Sequence, residues 1–275
     1  METFIPRKLV YAVGSNVHSI GHDAVMELGT NIILLGEAGG GKTRLTEWLG
    51  DVDGYARCTA RQLVNGIPRN LIGDAHIIVI DALDELATKA EGDAVDAVLR
   101  ALREIDCSRF ILSCRTSEWR ASTMREAIRE QYSQAPIEVE LAPLTDDDAL
   151  RYLASFLEDG ERAKVIVRHF RERGLTDWLG NPQTLAMMGD VSRSTDLPET
   201  AFALFERYVD LAWHEHNDRR SGAPLQTLGK DAVLDSLGAG FAAIVLTGSA
   251  ALSDEPRHKL VAGDLPLADL TTLPQ

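Results

Sequence analysis

The fold is decided by the stretch Ile32-Ile33-Leu34-Leu35-Gly36-Glu37-Ala38-Gly39-Gly40-Gly41-Lys42-Thr43. Its first four residues are apolar without alternation, which is typical of a strand that is covered on both faces. A glycine-rich turn with the spacing G-x-x-x-x-G-K-T follows at once, and a helix-compatible run continues through Leu45 and Trp48. The order of strand, glycine-rich loop and helix predicts a phosphate-binding loop, or P-loop.

Each part of this loop has a mechanical reason. Glycines let backbone N–H groups point into the loop and hold phosphate oxygens at the N-terminus of a helix. Lys42 would reach the β- and γ-phosphates, and the Thr43 hydroxyl would bind Mg2+. The alternative is a glycine-rich turn followed by a surface lysine. The predicted nucleotide-binding residues of the loop are Gly36, Glu37, Ala38, Gly39, Gly40, Gly41, Lys42, Thr43 and Arg44.

Further apolar runs predict the rest of a parallel sheet. Residues 77–80 and 110–112 resemble 32–35, and 55–59 and 137–141 are weaker candidates. Helical patterns between them, such as 94–102, would pack one apolar face on that sheet. The predicted fold class is therefore α/β, a three-layer P-loop NTPase with a parallel sheet and a C-terminal helical subdomain.

The second predicted strand ends in acid, as His76-Ile-Ile-Val-Ile-Asp81-Ala-Leu-Asp84-Glu85. A carboxylate at a strand tip beside the P-loop strand would hold hydrated Mg2+, the Walker B role, and we assign it to Asp81. The alternative for Asp81 is a helix N-cap. Asp84 or Glu85 would polarise the water that attacks the γ-phosphate, and the alternative for either is a solvated acidic turn.

A third strand, in Arg109-Phe-Ile-Leu-Ser-Cys-Arg115, delivers a basic residue at its C-terminal end. Ligands of open α/β sheets bind at that edge, so Arg115 would face the γ-phosphate and take part in catalysis. A structural salt bridge is the alternative.

The pattern becomes helical after Leu144. Thr145 followed by Asp148 is a plausible helix start, and a second strong helix runs from about 198 to 217. Gly180-Asn-Pro182 precedes a further helix, and taken alone it is an ordinary turn. The predicted divisions are an N-terminal segment (1–27), a P-loop α/β domain (28–144), a helical subdomain (145–220) and the start of a helical or winged-helix region (221–275) that we expect to be cut from a longer protein.

Composition limits the partners. The net charge of -14 argues against general nucleic-acid binding and against an anionic membrane surface.

The most apolar stretch, 237–252, is shorter than a membrane span and predicts a buried helix and turn. Three cysteines without C-x-x-C spacing suggest neither a disulfide framework nor a zinc site, and a reducing cytoplasm is the simplest location.

Together these elements resemble the NACHT clade of the STAND NTPases, signal-transducing P-loop ATPases. The most specific likeness is Asp81-Ala82-Leu83-Asp84-Glu85, a small residue after the magnesium aspartate and an acidic pair two positions further on. Arg115 looks like the sensor arginine of the clade. Gly180-Asn-Pro182 is similar to its proline motif, in which Pro182 would stack near the base.

The resemblance implies ATP with Mg2+, slow or triggered hydrolysis, self-association on activation by a protein trigger, an unknown effector, and a role in bacterial antiviral defence. No histidine could be placed in 225–275 for the winged-helix contact of the family. Two rivals stay open: a remodelling ATPase of the AAA+ type, which usually has glutamate where Ala82 stands, and a nucleotide-gated scaffold that never hydrolyses.

Overall fold

The computed structural model describes residues 4–66, 72–83, 86, 93–119, 121–193, 196–219, 229–249, 252–253 and 265–267. Its main element is a seven-stranded sheet. The strands are Lys8–Val13 (β1), Asn16–Gly21 (β2), Ile32–Gly36 (β3), Tyr55–Thr59 (β4), Ile77–Asp81 (β5), Arg109–Arg115 (β6) and Ile137–Leu141 (β7).

The strands lie in the order β2-β1-β7-β3-β6-β5-β4. The five strands from β7 to β4 are parallel, and they are the five that the sequence predicts. β1 runs antiparallel to both β2 and β7. This hairpin was not predicted: β1 contains the apolar run Leu9-Val10-Tyr11-Ala12-Val13, but most residues of the two strands are exposed and β2 has no such run. It lies within the segment 1–27 that the sequence analysis set apart.

One expectation about strand neighbours is wrong. The strand that ends at Asp81, β5, does not lie beside the P-loop strand β3. β6 separates them, and its Arg115 stands opposite Gly36 in the parallel register. The reason is the chain path, which crosses from β3 to the edge strand β4 and returns through β5 and β6. β3 is therefore flanked by two later strands, at the switch point where ligands of open α/β sheets bind.

Helices cover the parallel strands on both faces. Lys42–Gly50 (α1) packs its Leu45 and Leu49 against one set of strand residues, which includes Ile32 and Leu34. Ala60–Val64 (α2), Asp93–Glu104 (α3) and Ala121–Tyr132 (α4) cover the opposite face, where the alternate strand residues point. The result is the three-layer α/β fold of P-loop NTPases.

The described chain after β7 is mainly helical, as predicted. Its helices are Asp146–Leu157 (α5), Gly160–Glu172 (α6), Thr176–Leu179 (α7), Pro182–Val191 (α8), Ala201–Arg219 (α9) and Lys230–Thr247 (α10). Thr145 caps α5: its hydroxyl accepts from the Asp148 backbone N–H, while the Asp148 carboxylate accepts from the Thr145 N–H. This reciprocal pair confirms the helix start read from the sequence.

Residues 1–204 and 205–275 form two compact units. The sheet and the helices through α8 belong to the first. The second contains α10 and a short pair of strands, Leu252–Ser253 (β8) and Leu265–Pro266 (β9). The helix expected over 237–252 is present as far as Thr247 and ends in a turn at Gly248, but its expected burial is wrong, because Leu237, Phe241, Val245 and Leu246 are exposed on α10. Its apolar residues surround the helix instead of forming one stripe, so no single packing surface can cover them.

Over the part of the chain that the structure describes, no helix is long and apolar enough to cross a membrane.

Candidate nucleotide site

The P-loop connects the buried strand β3 to the first turn of α1. Gly39 has φ +70° and Gly41 has φ +92°, left-handed conformations that side chains rarely adopt. The Lys42 Nζ donates to the carbonyl oxygens of Gly36 at 2.7 Å and Glu37 at 3.0 Å. The lysine ammonium therefore lies over the mouth of the loop, where phosphate oxygens would be held.

The helical region contacts the P-loop directly. The Asn181 Nδ2 donates to the Ala38 carbonyl at 2.9 Å, and the Gln183 backbone N–H donates to the Gly39 carbonyl at 3.3 Å. A Cβ built on Gly39 would lie 2.7 Å from the Gln183 Cβ, so only glycine permits this approach. The sequence singled out Gly180-Asn-Pro182 as a turn or a base contact. The structure adds that its asparagine binds the loop itself.

Arg7 holds a third carbonyl of the loop, and sequence reasoning missed it. It is 5% exposed, and its two Nη atoms donate to the carbonyls of Gly40 at 2.6 Å and Ala142 at 2.8 Å. Burial lowers its pKa, and the charge of Asp148 partly offsets the effect. Its buried Nε has no hydrogen-bond partner among the described residues. Arg7 thus ties the loop to the chain between β7 and α5.

These donors orient the loop. In a trans peptide the carbonyl of one residue and the N–H of the next point in opposite directions. Because the carbonyls of Ala38 and Gly40 are turned towards Asn181 and Arg7, the N–H groups of Gly39 and Gly41 point away from those donors. The Gly40 N–H donates to the Glu37 carbonyl at 3.1 Å, so the loop amides that these contacts direct towards an anion are those of Gly39 and Gly41.

Asp81 is buried at the end of β5, 3% exposed. The Ser113 hydroxyl donates to its Oδ1 and the Arg57 Nη2 donates to its Oδ2, both at 2.7 Å. The Ser113 oxygen also accepts from the Ala82 backbone N–H at 2.9 Å. Ala82 has φ +60°, so the small residue after the aspartate adopts a left-handed conformation that a bulkier or β-branched side chain would oppose.

The oxygens of Thr43 and Asp81 fit a small divalent cation. Mg2+ prefers hard oxygen ligands, and a hydroxyl with a carboxylate at the edge of the sheet supplies them. Thr46 links the two positions, since its hydroxyl donates to the Thr43 carbonyl at 2.9 Å and accepts from the Arg57 Nε at 3.3 Å. Arg57 was also missed, because an arginine in an edge strand usually indicates a solvated face.

The remaining predicted site residues lie at different places around the loop or outside the described residues. Arg115 lies exposed at the C-terminal end of β6, in register with Gly36 at the P-loop. The Arg44 guanidinium pairs with Glu47 at 3.1 Å on the exposed side of α1. Pro182 lies against the loop, with its Cγ 3.6 Å from the position of a Cβ on Gly41. Asp84 and Glu85 lie outside the described residues.

A cavity of about 750 Å³ opens beside the P-loop, within the size range of small-molecule sites. We call the loop and the first turn of α1 the phosphate end of this cavity. We call the apolar, aromatic part of the lining the aromatic end, where Phe4 stacks on Trp48 and Tyr152 stacks on Phe156. Its lining consists of Phe4, Ile5, Arg7, Gly39, Gly40, Gly41, Lys42, Thr43, Arg44, Glu47, Trp48, Asp51, Tyr152, Ser155, Phe156, Glu158, Pro182, Gln183 and Ala186.

The aromatic end is assembled from distant parts of the chain. Phe4 packs with the core under α1, whereas the next residue, Ile5, packs with the core of the helical region. Burial raises the pKa of Tyr152, with a further rise from Asp190 and an opposing effect of Arg44, so its phenol is protonated at neutral pH. The cavity therefore joins an anion-binding end to a flat, apolar end with one neutral hydroxyl.

No family model matches the chain, and no curated protein matches its sequence. Similar solved structures include AMPPCP-bound DnaA from Aquifex aeolicus, with 16% identity over 71% of this chain and 63% of that chain and a TM-score of 0.37. Replication initiator DnaA bound to AMPPCP and single-stranded DNA has 13% identity over 71% and 63%, with a TM-score of 0.42. A Walker-type ATPase of Pyrococcus abyssi has 14% identity over 73% and 75%, with a TM-score of 0.38.

These similarities are distant, and the chain spans 63% of the length of the two DnaA structures. The P-loop NTPase fold of this chain follows from its own strand order and loop geometry.

Proposed function

We propose that the chain binds ATP with Mg2+ in this cavity and works as a nucleotide-dependent switch. The observation that carries the proposal is the pair of hydrogen bonds from Asn181 and Gln183 to P-loop carbonyls. The loop that would hold the phosphates is also a contact surface of the helical region. A ligand that changes the loop must therefore change the free energy of that contact, which is what a switch requires.

The residues have separate roles in this proposal. The loop N–H groups and Lys42 bind the phosphates, while Thr43 and Asp81 hold Mg2+, which supplies charge neutralisation when bound. Arg115 donates to the γ-phosphate from the end of β6. Phe4, Phe156 and Pro182 cover the base at the aromatic end, and Arg44 lies at the opening. Asp84 or Glu85 orients the attacking water.

The finer assignment is a STAND NTPase of the NACHT clade that hydrolyses ATP slowly or on a trigger, self-associates when active, and acts in antiviral defence. It is supported by the acidic pattern after Asp81 and by the asparagine and proline at 181 and 182. Basal turnover separates it from its rivals. Brisk hydrolysis would favour a remodelling ATPase, and complete absence of hydrolysis would favour a scaffold.

Lys42→Ala tests the nucleotide site. Removing the ammonium deletes the main cationic partner of the phosphates, so Mg·ATP affinity should fall by about 2–5 kcal/mol, at least about 30-fold. Isothermal titration calorimetry measures the loss. The matched control is Lys164→Ala, which removes an exposed lysine paired with Glu161 on α6 and should leave the affinity unchanged. Wild-type affinity in a folded Lys42→Ala protein would refute the proposal.

A further inference from the structure

Arg57 and the buried Asp81 form an ion pair at the position where the proposed metal site needs a free carboxylate oxygen. The Asp81 side chain is 5% exposed and that of Arg57 is 29% exposed, and Nη2 lies 2.7 Å from Oδ2. The other carboxylate oxygen, Oδ1, accepts from Ser113. Both oxygens of the carboxylate are thus already engaged by side chains of the protein.

The guanidinium is held firmly in this position. Its Nε donates to Thr46, whose hydroxyl in turn donates to the Thr43 carbonyl. The aliphatic part of Arg57 passes the end of α1 at Gly50, where an added Cβ would lie 2.6 Å from the Arg57 Cβ. The glycine allows α1 to approach β4 closely enough for Arg57 to reach across to β5. One arginine therefore touches the carboxylate and, through Thr46, the main chain of the threonine that would share the metal.

We propose that Arg57 is a positioning residue that competes with Mg2+ for Asp81 and so sets the metal dependence of nucleotide binding. This inference rests on the proposed function. A hydrogen-bonded cation at Oδ2 keeps the buried carboxylate paired, which avoids the large cost of an isolated buried charge. A divalent cation that approaches the same oxygen must displace or share that guanidinium, so part of its binding free energy is used to break the pair.

The pair also limits binding without metal. While Arg57 neutralises Asp81, the phosphates of a metal-free nucleotide are shielded from the negative charge of that carboxylate. Loss of the guanidinium would expose the phosphates to that charge and strengthen the attraction for Mg2+ at the same time. The first effect weakens the binding of metal-free nucleotide and the second strengthens the binding of metal-bound nucleotide. The ratio of the two affinities is therefore a sensitive readout.

The experiment compares ADP affinity in EDTA with ADP affinity in excess Mg2+, by titration calorimetry, in wild type and Arg57→Met. We expect the ratio of the dissociation constant in EDTA to the dissociation constant in Mg2+ to rise by about 10-fold in Arg57→Met. This is the lower end for a lost hydrogen bond between charged groups. Arg61→Met, which changes an exposed arginine four positions further along the chain, is the matched control and should leave the ratio unchanged. General damage to the fold would weaken both affinities and could not raise the ratio.

Asp81→Asn completes the test. Without the carboxylate there is nothing for Arg57 and Mg2+ to share, so adding Arg57→Met to Asp81→Asn should no longer raise the ratio. Should Arg57→Met not fold, Arg57→Gln, which removes the charge but keeps an amide donor, should raise the ratio by at least about threefold. An unchanged or lower ratio in the folded variant, with ADP still bound, would overturn this inference alone. Absence of ADP binding in wild type would instead refute the proposed function.

Discussion

The two ends of the cavity are built in different ways. The phosphate end is a continuous piece of chain, the eight residues from Gly36 to Thr43 that join β3 to α1, and its shape follows from glycines at fixed spacing. The aromatic end combines Phe4 from the N-terminus with Tyr152 and Phe156 from α5 and Pro182 from α8. The first end is specified locally and the second by tertiary packing. The effect of a change at the first end should therefore not depend on the base, whereas the effect of a change at the second end should.

The largest effect is expected from Gly39→Ala. The new methyl group would require a left-handed alanine, which costs about 1–2 kcal/mol, and would also collide with Gln183 and Asn181. We expect nucleotide binding to be lost and the free energy of unfolding to fall, measured by calorimetry and urea denaturation.

Gly174→Ala is the matched control for this change. Gly174 has φ +71°, against +70° for Gly39, but an added Cβ meets no atom of the described chain within 4 Å. It carries the conformational cost without the collision. Equal losses of stability and unchanged nucleotide binding in both variants would show that the approach of the helical region to the loop is unimportant.

A smaller effect is expected at Arg115, which tests discrimination within the phosphate end. A guanidinium at the end of β6 gains its phosphate partner only when the γ-phosphate is present. Arg115→Ala should therefore lower the affinity for a non-hydrolysable ATP analogue by about 1–3 kcal/mol and leave ADP affinity nearly unchanged. Parallel losses for both nucleotides would make Arg115 structural, and the γ-phosphate contact would have to be sought elsewhere.

The smallest effect is expected at the aromatic end. Phe156→Ala removes one ring of the Tyr152 stack and should reduce ATP affinity by about 1 kcal/mol, with no loss for inorganic tripolyphosphate, which has no base. Competition of each ligand with a fluorescent nucleotide measures both affinities. Phe202→Ala, an exposed phenylalanine on α9 that does not line the cavity, is the control. A loss that extended to tripolyphosphate would remove the distinction between the two ends.

The same distinction explains what could be predicted from the sequence. The parallel strands are uninterrupted apolar runs, and the P-loop has the G-x-x-x-x-G-K-T spacing that indicates phosphate binding, so both were predicted. The order of the strands was only partly accessible. Nothing local to residues 76–85 reveals that β6 separates β5 from β3. The packing of the helical connections between strands determines which strands become neighbours.

Arg7 and Arg57 could not be predicted for a related reason. An arginine in a sequence usually indicates solvent exposure, and only the folded chain shows that Arg7 donates to Gly40 and that Arg57 donates to Asp81. Phe4, which stacks on Trp48, and Phe156, which stacks on Tyr152, are 152 positions apart along the chain and share no motif. Residues that act through one local segment are visible in a sequence, whereas residues that meet across the fold are not.

Hydrogen exchange with mass spectrometry tests the central claim most directly, because it reads the P-loop and the helical region in one experiment. If the loop carbonyls couple nucleotide to the helical region, a non-hydrolysable ATP analogue with Mg2+ should slow exchange in residues 36–43 and also in α8, which begins at Pro182. ADP should give a different degree of protection in α8, and Lys42→Ala should abolish both effects. Protection confined to residues 36–43, or identical protection of α8 by the two nucleotides, would contradict a switch that acts through this contact.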